Sequence, residues 1–149
     1  MTFEPKKHVK SSWIVRGSDK SIVEKPWGYE HVWAGFSGIH GKTLYISKGC
    51  RTSFKYHQLK SEVLFLRSGI AEVVHGDECS IKDLVGHPLK TSVINPGDIV
   101  QVQSGSPYRI TALTDCEIIE IGNYLSDKPT RIDDDYGRQE KKIEDSREE

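Results

Sequence analysis

The chain has 149 residues, with 21 Lys+Arg against 22 Asp+Glu and a net charge of −1. That length holds one compact domain and excludes two catalytic ones, and the balanced charge excludes a nucleic-acid binder that relies on a broad basic field. Apolar runs stay well below the ~18 residues of a membrane span, and Cys50, Cys79 and Cys116, odd in number and without CxxC spacing, point to a reducing, cytoplasmic setting, as does the lack of a secretory apolar segment.

In chain order, residues 1–23 are polar and lysine-rich and read as an N-terminal arm, ordered only where Trp13 and Ile14 dock it. Nine short segments rich in Val, Ile, Thr, Tyr and Phe then follow. They are Tyr29 to Trp33, Thr43 to Ser47, Ser53 to Tyr56, Val63 to Arg67, Ala71 to His75, Thr91 to Ile94, Asp98 to Val102, Arg109 to Leu113 and Glu117 to Ile121. Glycines at 35, 38, 41, 49, 69, 76, 97 and 105, with Asn95-Pro96 and Ser106-Pro107, punctuate them. Thr43-Leu44-Tyr45-Ile46-Ser47 and Asp98-Ile99-Val100-Gln101-Val102 alternate apolar and polar side chains with period two. Nine strands at near-regular spacing, with no amphipathic helix, predict an all-β antiparallel sandwich or small barrel spanning residues 24–138. The residues beyond, 139–149, form a charged C-terminal tail that cannot pack.

One stretch carries chemistry. Lys55 and His57 are two apart on a strand and share a face, while Glu62 opens the next strand after a short polar turn, so all three can converge inside a barrel. A second segment, Asn95 to Tyr108, presents a strand, a glycine turn and then a polar ring at the start of the following strand. The paired spacing, Gly49, Lys55-x-His57, Glu62 and Gly69, then Gly97, Gly105 and Tyr108, resembles the two motifs of the cupin superfamily. Three blocks narrow the resemblance. Lys25-Pro26-Trp27-Gly28-Tyr29, Ser53-Phe54-Lys55-Tyr56-His57 with Lys60 and Glu62, and Gly122-Asn123-Tyr124-Leu125 followed by Arg131 to Arg138 are similar to the C-terminal cupin half of type II mannose-6-phosphate isomerases.

The resemblance implies a double-stranded β-helix, or jelly roll, holding a divalent metal on a Gln or His, a His, a Glu and a final His. It also implies aldose–ketose isomerisation of a sugar phosphate through an enediol, with an Arg of the terminal block assisting. Carried over by position, the ligand set is Lys55, His57, Glu62 and Tyr108, of which two match. A lysine with an ordinary pKa of ~10.4 offers no lone pair at neutral pH, and a tyrosine of pKa ~10 is a poor neutral ligand. Zinc or manganese on His57 and Glu62 alone is an incomplete site, so a metal-free pocket is the favoured expectation. In it the Lys55 ammonium pairs with Glu62 and takes the cation's place, leaving His57 and Tyr108 for proton transfer.

Plainer roles stand beside these. Lys55 and Glu62 also read as a structural ion pair, His57 as a hydrogen-bonded core histidine and Tyr108 as a packing aromatic. Arg131 either binds phosphate, with Arg51 or Arg109 as further candidates, or ties the last loop to Asp133, Asp134 or Asp135. His8, His31, His40, His75 and His87 are assigned surface or structural roles, Trp27 and Trp33 core and dimer contacts, and Cys50 no catalytic role.

The expected function is that of a stand-alone cupin acting on or binding a sugar phosphate or nucleotide sugar, without the nucleotidyltransferase domain of its bifunctional relatives. The alternatives are a sugar-binding cupin that has lost its metal site and catalysis, and a metal-independent nucleotide-sugar isomerase or epimerase working through His57 and Tyr108. A homodimer is expected from the exposed edges of a jelly roll, with no membrane or nucleic-acid partner.

Overall fold

The computed structural model of the chain describes residues 9–19, 21–123 and 127–138. Among the described residues, eleven strands, all paired antiparallel, form two sheets, and the one helical element is a single 3₁₀ turn at Gly17–Asp19. No helix among them is long and apolar enough to cross a membrane. The strands are β1 (Ser21–Lys25), β2 (Gly28–Phe36), β3 (Ile39–Ile46), β4 (Phe54–Tyr56), β5 (Glu62–Ser68), β6 (Ala71–His75), β7 (Lys90–Ile94), β8 (Ile99–Val102), β9 (Tyr108–Ala112), β10 (Cys116–Asn123) and β11 (Thr130–Asp133). One sheet has the order β1-β2-β3-β10-β5-β8, the other β11-β4-β9-β6-β7. The all-β, jelly-roll expectation holds.

All nine expected strands form, and two more flank them. β1 pairs with β2 through a tight hairpin in which Lys25 faces Gly28. Gly28 sits at φ 150°, and a Cβ there would fall 1.9 Å from the Tyr45 carbonyl oxygen, so glycine is required at that turn. β11 adds an edge to the second sheet by pairing with β4, Arg131 facing Lys55. A third difference lies between β2 and β3. Gly35 and Gly41 are strand residues; the turn is Ser37-Gly38, both at positive φ (49° and 76°), so β3 begins at Ile39 rather than Thr43. Gly41 lacks a side chain because the Trp33 ring covers it, 2.4 Å from where a Cβ would stand. Trp33 is therefore half-exposed on the outer face, its indole N–H given to Thr43 Oγ1, whereas Trp27 is buried in the core. At the other end of the chain's described start, Trp13 packs edge-on against Phe36 with ring centroids 4.9 Å apart, while Ile14 stays exposed.

The inward-facing rows position the site. On β3 they run Ile46, Leu44, Lys42, His40; on β5 Leu66, Leu64, Glu62; on β10 Cys116, Ile118, Glu120, Gly122; on β9 Ala112, Ile110, Tyr108. Register aligns them, with Leu44 opposite Ile118 and Ile118 opposite Leu66, then Lys42 opposite Glu120, then His40 opposite Gly122 and Gly122 opposite Glu62. Each row is apolar at one end and polar at the other, and the change falls at nearly the same level in all four strands. The apolar ends, with Val73 and Ala71 of β6, make the core; the polar ends make a chamber above it.

Candidate functional site

The chamber is a cavity of about 340 Å³, and Lys55, His57, Glu62, Tyr108 and Arg131 all line it. β4 carries Lys55 and delivers His57 just beyond its end, β5 opens with Glu62, β9 opens with Tyr108 and β11 brings Arg131. The five residues singled out from sequence thus share one pocket. Their pairing differs from expectation.

Glu62 does not take Lys55 as its cation. Its Oε1 accepts a 2.7 Å hydrogen bond from the Tyr108 hydroxyl, and its Oε2 lies 3.1 Å from Lys60 Nζ. Lys55 instead sets its ammonium over the Tyr108 ring, 4.9 Å from the centroid, a cation–π contact. The reason is reach: Lys60 leaves the β4–β5 turn directly over Glu62, and glycine at 122 leaves room for it, since a Cβ there would stand 3.1 Å from Lys60 Cε and 3.2 Å from His40 Cε1.

Four further residues of the chamber escaped sequence reasoning. Glu120 of β10 is buried, lies 3.3 Å from Lys60 Nζ and 3.6 Å from Lys42 Nζ, and has His40 Nε2 2.9 Å from its Oε2. Lys42 in turn donates to Glu30 Oε1 at 2.9 Å. His40, one of the histidines assigned to surface or structural roles, is buried in this network. The available signal was the period-two row His40, Lys42, Leu44, Ile46, hidden when Gly41 is taken for a turn.

Electrostatics follow from this crowding. Burial alone would raise Glu120, but Lys42 and Lys60 outweigh it and hold the carboxyl at about 2. Glu62 moves the other way, raised by burial and then by the Glu120 charge, so of the two carboxyls it takes up a proton the more readily. Burial, then the charges of Lys60 and Lys55, push His57 down to about 4, so its ring is neutral at pH 7. Burial lowers Lys55 to about 8 against the opposing pull of Glu62. Tyr108 is raised well above 10 by burial and then by Glu62, which keeps it a hydrogen-bond donor.

The arginines sort themselves by partner. Arg51 holds Asp135 through two bonds of 2.6 Å, Arg109 holds Asp133 at 3.1 Å and Arg138 holds Asp134 at 3.0 Å. Arg51 and Arg109 are therefore engaged with the last loop and do not line the chamber, and the three aspartates offered as partners for Arg131 are held by other guanidiniums. Arg131 Nε is buried without a hydrogen-bond partner among the described residues. Three other buried atoms share that condition: His40 Nε2, His57 Nδ1 and Glu62 Oε2. All four belong to residues that line this one cavity. Unpaired buried polar atoms are uncommon, and four around one chamber mark a place shaped for something polar.

Comparison with solved structures identifies the architecture. Oxalate decarboxylase from Bacillus subtilis at pH 4.6 superposes with a TM-score of 0.68 at 18% identity, covering 84% of this chain and 33% of that one. The chain has the cupin fold. A formate complex of oxalate decarboxylase from Lactobacillus farciminis gives a TM-score of 0.63 at 20% identity over 78% of this chain and 34% of that one. KdgF from Halomonas sp. gives 0.59 at 14% identity over 72% and 91%. The chain spans about a third of the length of the oxalate decarboxylases it matches. No protein-family model and no curated protein sequence matches the chain. At identities this low the likeness is one of fold.

The B. subtilis oxalate decarboxylase has Mn(II) centres, and the residues of this chamber offer a metal something different. The positions carried over from the motif do not fit one: Lys55 presents an ammonium, the Tyr108 hydroxyl is given to Glu62, and only His57 and Glu62 retain ligand character. A different trio comes closer. His40, Glu62 and Glu120 place one donor atom each within 4.8 Å of one another, yet Lys60 Nζ already lies against both carboxylates. A second trio, Asp77, Cys79 and His87, is gathered on an exposed loop outside the chamber, with His87 Nδ1 2.9 Å from Asp77 Oδ2.

Proposed function

We propose that this barrel binds an anionic sugar, a sugar phosphate or a nucleotide-linked sugar, and moves a proton between adjacent carbons of its open-chain or keto form without a metal. The observation that carries this reading is the charge of the chamber. Lys25, Lys42, Lys55, Lys60, Lys128, Arg131 and Arg138 line it against Glu30, Glu62, Glu120 and Asp127, with Glu62 raised toward its neutral form. Such a cavity attracts an anion, and Arg131 Nε, without a partner among the described residues, is suited to a phosphate oxygen.

In this mechanism neutral His57 takes the proton from the carbon beside the carbonyl. The Lys55 ammonium faces the oxygen on which negative charge develops. His57 then returns the proton to the neighbouring carbon, and Glu62, the more protonated of the paired carboxyls, exchanges the hydroxyl proton. Lys55 and Lys60 depress the His57 ring in the free protein; a bound dianion offsets their charge and brings the ring toward a useful basicity. The mannose-6-phosphate isomerase resemblance of the three sequence blocks supports an aldose–ketose pair as the first substrates to try.

The test is incubation with mannose 6-phosphate or fructose 6-phosphate in D2O after exhaustive chelation. Turnover with deuterium entering at C1 or C2, reduced at least ~100-fold in His57→Ala, supports the reading. If sugar phosphates and nucleotide sugars raise Tm yet none exchanges a carbon-bound proton, the chain is a sugar-binding barrel without catalysis. Loss of exchange in Tyr108→Phe with sugar binding retained would favour the nucleotide-sugar reading, in which Tyr108 is the acid.

A further inference from the structure

Three strands bring one imidazole and two carboxyls together in the chamber. His40 of β3, Glu120 of β10 and Glu62 of β5 face inward at adjoining levels, with side-chain-free Gly122 between His40 and Glu62 in the register. Their donor atoms lie within 4.8 Å of one another. A divalent ion bound at ~2.1 Å to each would hold those atoms roughly 3–3.5 Å apart, and His40 Nε2 already stands 2.9 Å from Glu120 Oε2. Two carboxylates and an imidazole are donors of the hardness that Mn²⁺, Co²⁺ and Zn²⁺ accept.

Two of the three lone pairs are without a hydrogen bond. His40 Nε2 and Glu62 Oε2 are buried without a hydrogen-bond partner among the described residues, with Glu120 Oε2 2.9 Å from the first and Lys60 Nζ 3.1 Å from the second. What lies against the carboxylates is the Lys60 ammonium, 3.1 Å from Glu62 Oε2 and 3.3 Å from Glu120 Oε2, on a side chain itself only 7% exposed. Two carboxyls this close in a buried site are stabilised by a neighbouring cation, and the chain supplies its own.

We infer that Lys60 is a tethered replacement for a divalent cation, and that His40, Glu62 and Glu120 form a latent metal site that its side chain keeps closed. This trio differs from the positions implied by the cupin motif, with which it shares only Glu62. The inference holds whatever the barrel acts on. A tethered ammonium has no open coordination position to give a substrate, so orientation falls to fixed donors such as Lys55 and Arg131. It also cannot be stripped by chelators.

The test uses the full chain in a Cys79→Ser background, which disables the exposed Asp77, Cys79 and His87 cluster. The parent protein, dialysed against EDTA and titrated with Co²⁺, is expected to develop no visible d–d absorption and to keep the same Tm with and without metal. Lys60→Met, which keeps the stem and removes the charge, is expected to bind one Co²⁺ per chain at least 100-fold more tightly than the parent. Its Tm then rises with micromolar metal, and His40→Gln in the same variant abolishes both effects. A Lys60→Met protein that folds only when Co²⁺ or Mn²⁺ is present supports the inference equally. Three results overturn it: a parent that takes up one ion lost on Glu120→Gln, a folded Lys60→Met that takes up none, and a Lys60→Met that stays unfolded with and without metal.

Discussion

His57 is buried, and its ring is held down to about 4 by desolvation first and the charges of Lys60 and Lys55 after it. In the unfolded chain the same ring titrates near 6.5. Between those values the unfolded chain binds more protons than the folded one, so this residue's contribution is fully present above pH 6.5 and is lost as pH falls toward 4. The expected outcome is a loss on the order of 1–2 kcal/mol over that window, diminished in His57→Gln, measured by urea unfolding at pH 7, 5.5 and 4.5. Lys55 has the same sense at alkaline pH. Its folded value of about 8 lies below the usual 10.5, so the penalty for burying its charge is full below pH 8 and fades as pH rises to 10.5. Lys55→Met is therefore expected to raise Tm more at pH 7 than at pH 10, by scanning calorimetry. Tyr108→Phe keeps the ring and removes the 2.7 Å donor to Glu62. It is expected to destabilise by about 1–3 kcal/mol, because a buried carboxyl oxygen loses its partner.

At the scale of elements, the β1–β2 hairpin depends on one glycine. Gly28→Ala combines a positive φ with collision against the Tyr45 carbonyl, and is expected to lower stability by roughly 2 kcal/mol or more, or to abolish folding, read by chemical denaturation of the purified variant. The strands themselves were legible because β-branched runs between Gly, Pro and Asn turns leave few alternatives. Lys55, His57, Glu62 and Tyr108 were legible as one pocket because strand period and motif spacing put them at strand ends. What could not be read was which lysine would meet Glu62. That depends on the β4–β5 turn placing Lys60 over the carboxylate and on Gly122, sixty residues away, leaving room for it. His40 and Lys42 were lost to one misplaced turn, since Gly35, Gly38 and Gly41 look alike in sequence and only Gly38, paired with Ser37, bends the chain. β11 has a single apolar residue, Ile132, and becomes a strand only because β4 offers an edge to it. Sequence could not show that three other arginines take Asp133, Asp134 and Asp135, the aspartates offered to Arg131.

Across the whole molecule, burial and charge are separated by height. Leu66, Ile118, Ile46 and Val73 are at most 1% exposed, and all stand on the apolar side of the level at which the inward rows turn polar. Leu66→Ala is expected to cost about 2–5 kcal/mol with the chamber's ligand affinity changed little, measured by denaturation and by ligand titration in the same buffer. Lys42 and Glu120 stand on the other side, on strands that the lower residues already hold in register, and Lys60 reaches over them from the β4–β5 turn. The same four strands therefore work as a chassis below and an interchangeable cup above. Substitutions in the two halves are expected to combine additively, while pairs within the cup, such as Lys42 with Glu120, do not. A barrel divided in this way can exchange one kind of chemistry for another by rewriting a handful of strand ends, and its foundation is left undisturbed.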